Sequence, residues 1–220
     1  MLIGGVDEAG RGSVIGPLIV AGIAISDDEL PQLKDLGVRD SKKLSPNRRR
    51  LLALLIRNIV RKVVVEEAAP QVIDSYVSKG KLNLLELELM VRIISRLSAD
   101  VVYIDAPDIN VRRFTALLTK MLSEHYGLTG IRVIAEHEAD VKFPVVSAAS
   151  IIAKVYRDSR IADLHTTYGD FGSGYPSDPK TIRFLKDVLS RPSPPPIIRR
   201  SWRTITRIQG ELKSRKLRLS

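Results

Sequence analysis

Four carboxylates stand where chemistry could happen. Asp7 and Glu8 lie side by side at the end of an apolar run, Leu2-Ile3-Gly4-Gly5-Val6. Asp105 ends a second run, Val101-Val102-Tyr103-Ile104, and Asp140 follows a third, Ile131 to Ala135, by a few residues. Adjacent carboxylates repel each other and resist burial, so something must neutralise them. Oxygen-only ligands of this kind suit hard divalent cations, Mg²⁺ or Mn²⁺, not zinc. His125, His137 and His165 form no pair at metal-binding helical spacing. The plain alternative is that each acid merely ends its strand in solvent. Neighbouring residues of a regular strand face opposite ways, so Asp7 and Glu8 can both reach one ion only if the strand ends or bulges there. Glu8 could otherwise act through its backbone carbonyl or a water.

The turn after the acids, Gly10-Arg11-Gly12-Ser13-Val14-Ile15-Gly16, approximates a dinucleotide-binding glycine fingerprint. That motif must open a helix whose N-terminus meets a pyrophosphate. Here Pro17 leads into Leu-Ile-Val-Ala-Gly-Ile-Ala-Ile, a strand pattern, and two acids before the glycines would repel phosphate. A phosphate-binding Gly-Lys-Ser/Thr loop is absent as well. Gly10 and Gly12 read as a tight turn needing positive φ. Farther on, Ser147, Ser150, Lys154 and Arg157 fall on one helical face at spacings of three and four, opposite Ala148, Ile152 and Val155. A stripe of hydroxyls and cations beside a metal site suits phosphate contacts, a solvated face being the plain alternative. For Arg157 a structural ion pair with Asp158 is the favoured reading. Lys42 and Lys43 are loop cations suited to phosphate.

The elements that would position these groups alternate along the chain. Strands are expected at 2–8, 18–26, 61–67, 100–105 and 131–136, and helices at 45–60, 69–77, 82–98, 110–126, 144–168 and 178–190. Ser45 is the N-cap of the first helix and Pro46 its first residue, while Pro144 opens the long one and leaves Asp140 just outside it. The early strands follow one another closely enough to pair antiparallel, and the later ones are separated by helices, as parallel strands require. The expected architecture is α/β, a mixed sheet flanked by helices. In such sheets ligand sites gather beyond the carboxyl ends of strands, where all four acids fall. The run Pro192-Ser193-Pro194-Pro195-Pro196 marks a boundary, giving a domain at 1–190 and a basic helical extension at 191–220.

Composition sets the class. The 220 residues carry a formal net charge of +10, a field that attracts polyanions, above all nucleic acid. The excess is concentrated at the C-terminus, where Arg199, Arg200, Arg203, Arg207, Lys213, Arg215, Lys216 and Arg218 face one acid, Glu211. Without cysteine there is no disulfide framework and no thiolate-held zinc or iron–sulfur site. No apolar segment is long enough for a transmembrane helix, and Met1 leads into a strand rather than a signal peptide, so a cytoplasmic protein is expected.

An ordered set of motifs resembles the ribonuclease HII family, its archaeal form most. These are Asp7-Glu8-Ala9-Gly10-Arg11-Gly12, Asp40-Ser41-Lys42-Lys43-Leu44, Tyr103-Ile104-Asp105, Ala139-Asp140, Ser147-Ala148-Ala149-Ser150-Ile151-Ile152-Ala153-Lys154-Val155, Gly174-Tyr175-Pro176-Ser177-Asp178 and Arg200-Ser201-Trp202. The resemblance implies a ribonuclease H-like fold and endonucleolytic cleavage of RNA in RNA–DNA hybrids, with 5′-phosphate and 3′-hydroxyl ends. It implies cutting on the 5′ side even of a single ribonucleotide in duplex DNA. By the same resemblance Asp7, Glu8, Asp105 and Asp140 are the catalytic metal ligands. Gly10, Arg11 and Gly12 would contact the 2′-hydroxyl, and Tyr175 would pack on the sugar of the next deoxynucleotide. Some archaeal members end in a sliding-clamp motif, whose paired aromatics this tail lacks. A monomer is expected.

The chemistry agrees with the residue types. Two divalent ions about 3.5–4 Å apart can activate a water and stabilise a departing 3′ oxygen in an in-line displacement. Their combined charge of about +4 demands several carboxylates, with Asp7 as the bridging ligand. Telling RNA from DNA means sensing a 2′-hydroxyl, and glycines let backbone groups approach it. Two other classes compete: a non-catalytic nucleic-acid binder and a dinucleotide-dependent oxidoreductase. A pure binder gains nothing from acids facing a polyanion, and the second fails on the fingerprint's context.

Overall fold

The computed structural model describes residues 1–38 and 44–217. Its chain divides into two compact units, each made of three separate segments: Met1–Ala9, Ile19–Glu67 and Asn83–Tyr156 in the first, and Gly10–Leu18, Ala68–Leu82 and Arg157–Ser220 in the second.

The first unit is built on a five-stranded sheet of order β3-β2-β1-β4-β5, comprising β1 (Leu2–Ala9), β2 (Leu18–Ser26), β3 (Lys62–Ala68), β4 (Val101–Asp105) and β5 (Arg132–Glu136). β1 pairs antiparallel with β2, Asp7 opposite Ala21, and parallel with β4, Val6 beside Ile104; β4 in turn pairs parallel with β5. The mixed sheet expected from the spacing of the elements is thus present. The unbroken apolar run of β2 reflects burial on both faces, as a central strand requires. One face packs on helix α2 (Pro46–Ile59) and the start of helix α7 (Pro144–Tyr168), burying Ile19, Ala21, Ile23 and Ile25 against Leu52, Ile56, Val145 and Ile152. The other face meets helix α4 (Leu82–Leu97), whose Leu97 lies against Gly4. Gly5 decides how closely α7 approaches. A Cβ there would stand 2.3 Å from the Val145 carbonyl oxygen, so only glycine lets the helix start rest on the strand. Ser45 caps α2 by accepting from Arg48 N at 3.3 Å, and Pro46 follows it as the first helical residue.

The second unit has a different construction. The loop 10–18, helix α3 (Pro70–Val77), the second half of α7, helix α8 (Pro179–Leu189) and helix α9 (Arg203–Leu217) surround a core that includes Val14, Ile15, Phe171, Leu185, Ile197, Ile198, Ile205 and Ile208. Asp74 of α3 accepts from Arg200 N at 2.8 Å and Ser201 N at 2.9 Å. The units therefore cut the chain differently from the division at 190/191 suggested by the proline run. Residues after that run are core: Ile198 bridges to Ile15, and Arg199 N donates to Val14 O. Three short elements have no periodic signal of their own, a 3₁₀ turn at Asp27–Glu29, helix α1 (Leu30–Asp35) and helix α6 (Ala139–Lys142); helix α5 spans Val111–Tyr126. Among the described residues no helix is long and apolar enough to cross a membrane.

Candidate metal centre and glycine loop

In the first unit, three acids converge. The register that sets Val6 beside Ile104 carries Asp7, one residue on, alongside Asp105 at the end of β4. Asp140 enters from the first turn of α6, which follows β5 directly. Each of Asp7, Asp105 and Asp140 offers a carboxylate oxygen, and these atoms all lie within 4.8 Å of one another. Asp7 and Asp140 are buried and Asp105 partly so. Burial first, and then the charge of Asp105, pushes the Asp7 pKa up from 3.8 to about 6. A hydrogen bond with Ser150, the nearby Lys154 ammonium and a 2.8 Å bond from Glu8 N to Asp7 Oδ1 pull the other way without cancelling it. A carboxylate held this reluctantly as an anion is one that a cation would stabilise. With oxygen donors alone, the group fits a hard divalent ion such as Mg²⁺ or Mn²⁺.

The hydroxyls of α7 serve the acids. Ser147 and Ser150 are completely buried, so neither belongs to a solvated face. Ser147 Oγ donates to the Asp140 carbonyl, and Lys154 Nζ donates to Ser150 Oγ at 2.6 Å. Ala139 N donates to Asp105 Oδ1 at 3.1 Å, tying the α6 turn to β4. Gly5 makes this support possible, since it sets the depth of α7 against β1. Its signal was present as a Gly-Gly pair inside an apolar strand run. Glu8 stands apart from the three acids. β1 continues regularly through it, paired with Val20, so its side chain faces the other way from that of Asp7.

In the second unit, Gly10 has φ +87°, and Ser13 closes the turn by donating from N (3.2 Å) and Oγ (2.9 Å) to Gly10 O. Gly12 departs from expectation. It has no positive φ, it is exposed, and a Cβ would meet nothing within 4 Å. The turn needs glycine at 10, whereas at 12 the glycine leaves open space. Val14 N and Ile15 N both donate to Gly174 O, at 2.8 and 3.2 Å, which fastens the loop to the turn carrying Tyr175. Tyr175 is half-buried, with the Arg157 guanidinium 4.4 Å from its ring centroid. Arg157 also donates to Ser173 O at 2.9 Å, and the charge of Asp158 acts on it as well. Thr181 Oγ1 receives Gly174 N and donates to Phe171 O, and Asp178 caps α8 while accepting from Ser173 N. Those backbone donors lower the Asp178 pKa.

Arg199 is the residue that sequence reasoning misplaced. Counted among the tail cations, it is fully buried and donates Nε to Gly16 O at 2.9 Å and NH1 to Arg11 O at 3.0 Å. Only its position between Ile197-Ile198 and Trp202 hinted at this. Lys42 and Lys43, with Asp40 and Ser41, lie outside the described residues.

Comparison with known proteins completes the picture. The family described as Ribonuclease HII matches residues 4–205. The chain is 42% identical to the ribonuclease HII of Pyrococcus furiosus over 223 residues, covering 100% of this chain and 96% of that one. Among solved structures, it is similar to the ribonuclease H2 of Pyrococcus horikoshii, with a TM-score of 0.88, 40% identity and coverage of 97% and 99% of the two chains. It is also similar to the RNase HII of Archaeoglobus fulgidus solved as a PCNA complex, with a TM-score of 0.83, 44% identity and coverage of 92% and 96%. A match of this length, on a sheet that gathers three acids at its strand ends, places the chain in the ribonuclease HII family of metal-dependent endonucleases acting on RNA–DNA hybrids.

Proposed function

We propose that this enzyme cleaves on the 5′ side of ribonucleotides in duplex nucleic acid, including a single ribonucleotide embedded in DNA, leaving 5′-phosphate and 3′-hydroxyl ends. The observation that carries the reading is the trio Asp7, Asp105 and Asp140, with Asp7 held reluctantly ionised between its neighbours. Two divalent ions bound there would supply water activation and stabilisation of the departing 3′ oxygen. Asp7, Asp105 and Asp140 would hold the ions, with Asp7 as the ligand shared between them. Glu8 contributes through its backbone carbonyl or through a water. Ser147, Ser150 and Lys154 keep the acids in place from α7.

Recognition of the ribose belongs to Gly10, Arg11 and Gly12, with Arg11 adding a cation near the phosphates. The open space at Gly12 supports close approach of a ligand to the backbone. Tyr175 packs on the sugar of the following deoxynucleotide, and Lys42 and Lys43 contact phosphates. A sliding clamp is the further partner to be tried, because the Archaeoglobus fulgidus relative was solved with PCNA. No aromatic residue follows Trp202 among these 220 residues.

One incubation tests the central claim. A DNA duplex with one ribonucleotide should be cut at its 5′ side with Mg²⁺ or Mn²⁺ and left intact with EDTA, and an all-DNA duplex should survive both. Cutting of the all-DNA duplex, or metal-independent cutting, overturns the reading.

A further inference from the structure

Arg157 is a buried cation that the metal chemistry does not use. It is 5% exposed, and burial draws its pKa down against the support of Tyr175 and Asp158. A buried charge is expensive, and an apolar side chain of similar length would fill the same space at less cost. What such a side chain could not do is reach three things at once. The Arg157 guanidinium lies over the Tyr175 ring at 4.4 Å and donates to Ser173 O at 2.9 Å. It also rests against Gly10, where an added Cβ would be 2.7 Å from Nε. Gly174 completes the arrangement, since its own Cβ would fall 3.3 Å from Arg157 NH2. The planar group therefore touches the glycine turn and the tyrosine turn together.

We infer that Arg157 is a positioning residue which fixes the Tyr175 ring relative to the Gly10 turn, and so sets selectivity for the junction between a ribonucleotide and the deoxynucleotide after it. The inference rests on the reading that Gly10–Gly12 and Tyr175 meet the substrate sugars. Backbone bonds already tie the two turns, through Gly174 O, and Arg199 grips the far end of the loop at Arg11 O and Gly16 O. Those bonds hold main chain. Arg157 holds the face of the aromatic ring.

The test compares Arg157→Met and Arg157→Lys, each alone and combined with Tyr175→Ala. For each, kcat and KM are measured on a duplex with one ribonucleotide and on a continuous RNA–DNA hybrid, and Mn²⁺ binding and thermal unfolding are recorded beside them. Arg157→Met should lower kcat at the single ribonucleotide by about 10- to 100-fold, the scale of a misplaced reacting group, and lower it less on the continuous hybrid. KM and Mn²⁺ affinity should move by less than about threefold. Arg157→Lys should not restore the rate, because an ammonium lacks the plane and fork. In the Tyr175→Ala background the same substitutions should cost less than about threefold, as residues acting through one another do. If the methionine variant does not fold, the lysine variant carries the comparison. Additive losses, equal losses on both substrates, or unimpaired turnover of either Arg157 variant overturns the inference. Should Tyr175→Ala itself leave both substrates unaffected, the reading of Tyr175 falls and this inference with it. Should Tyr175→Ala show its loss while Arg157→Met does not, the role of Arg157 alone falls.

Discussion

The acid trio and the glycine–tyrosine block solve opposite problems. In the first unit, Asp7, Asp105 and Asp140 are gathered despite their charge, and burial, with a smaller push from Asp105, raises the Asp7 pKa. In the second, two guanidiniums are buried to hold neutral backbone and a ring in place. The trio is incomplete without a cation. The block is tied together by hydrogen bonds among its own residues. The contrast is between acids that a cation would stabilise and buried cations already engaged by neighbouring backbone and ring.

The largest effect should come from breaking the trio. Asp7→Asn should lower cleavage by about a thousandfold or more, since an amide cannot hold divalent ions worth several kcal/mol to the transition state. Hybrid binding, measured by fluorescence anisotropy, should survive; near-normal turnover would remove Asp7 from its central place. Next comes the block. Tyr175→Ala should cost about a hundredfold in kcat at a single ribonucleotide and much less in Kd. That variant should leave Mn²⁺ binding unchanged, whereas Asp7→Asn should abolish it, and calorimetry separates the two regions directly.

A pH series on the metal-free protein sharpens the same contrast. Asp7 has a folded pKa of about 6 against 3.8 in the unfolded chain, so the folded state binds the extra proton between those values. Stability from this group is therefore greatest below the lower value and is lost as pH rises towards the upper one. The full loss, reached above it, is at most about 3 kcal/mol. Chemical denaturation should show this slope in the wild type with EDTA and lose it in Asp7→Asn, which should be the more stable protein at neutral pH. Tyr175→Ala should keep the slope. An Asp7→Asn variant with an unchanged slope would assign the titration elsewhere.

The smallest effect concerns the tail. Ile205 and Ile208 are buried in the second unit, so a truncation that removed them would damage the core instead of testing charge. Removing residues 213–220 takes away Lys213, Arg215, Lys216 and Arg218 and leaves those isoleucines in place. The slope of log K for hybrid binding against log salt should shrink by about 0.9 for each phosphate that is no longer neutralised. An unchanged slope would show that these cations do not meet the substrate.

What could be read from the sequence follows the same line between regions. Asp7, Asp105 and Asp140 were legible because each ends or closely follows an apolar run, and strand ends in such sheets converge by construction. Even the difficulty with Glu8 was legible, from the alternation of a strand. The block was not. Arg157 and Arg199 carry the same letter as any surface cation, and only tertiary packing makes them struts. Ser147 and Ser150 share a helical face as their spacing said, but the sequence could not say that this face is covered. The helical turn holding Asp140 is four residues long, too short for periodicity to register. The two units themselves are assembled from interleaved segments, which no local composition change marks.

The chain's single tryptophan, Trp202, stands beside the Arg199 guanidinium, 5.0 Å from ring centroid to cation, wholly within the second unit. Its emission is therefore a native optical reporter of that unit and blind to the first. Circular dichroism at far-ultraviolet wavelengths sums the helices and strands of both. Melting curves recorded by the two signals will superimpose if the molecule unfolds in one cooperative step, and will separate if the two units come apart at different temperatures.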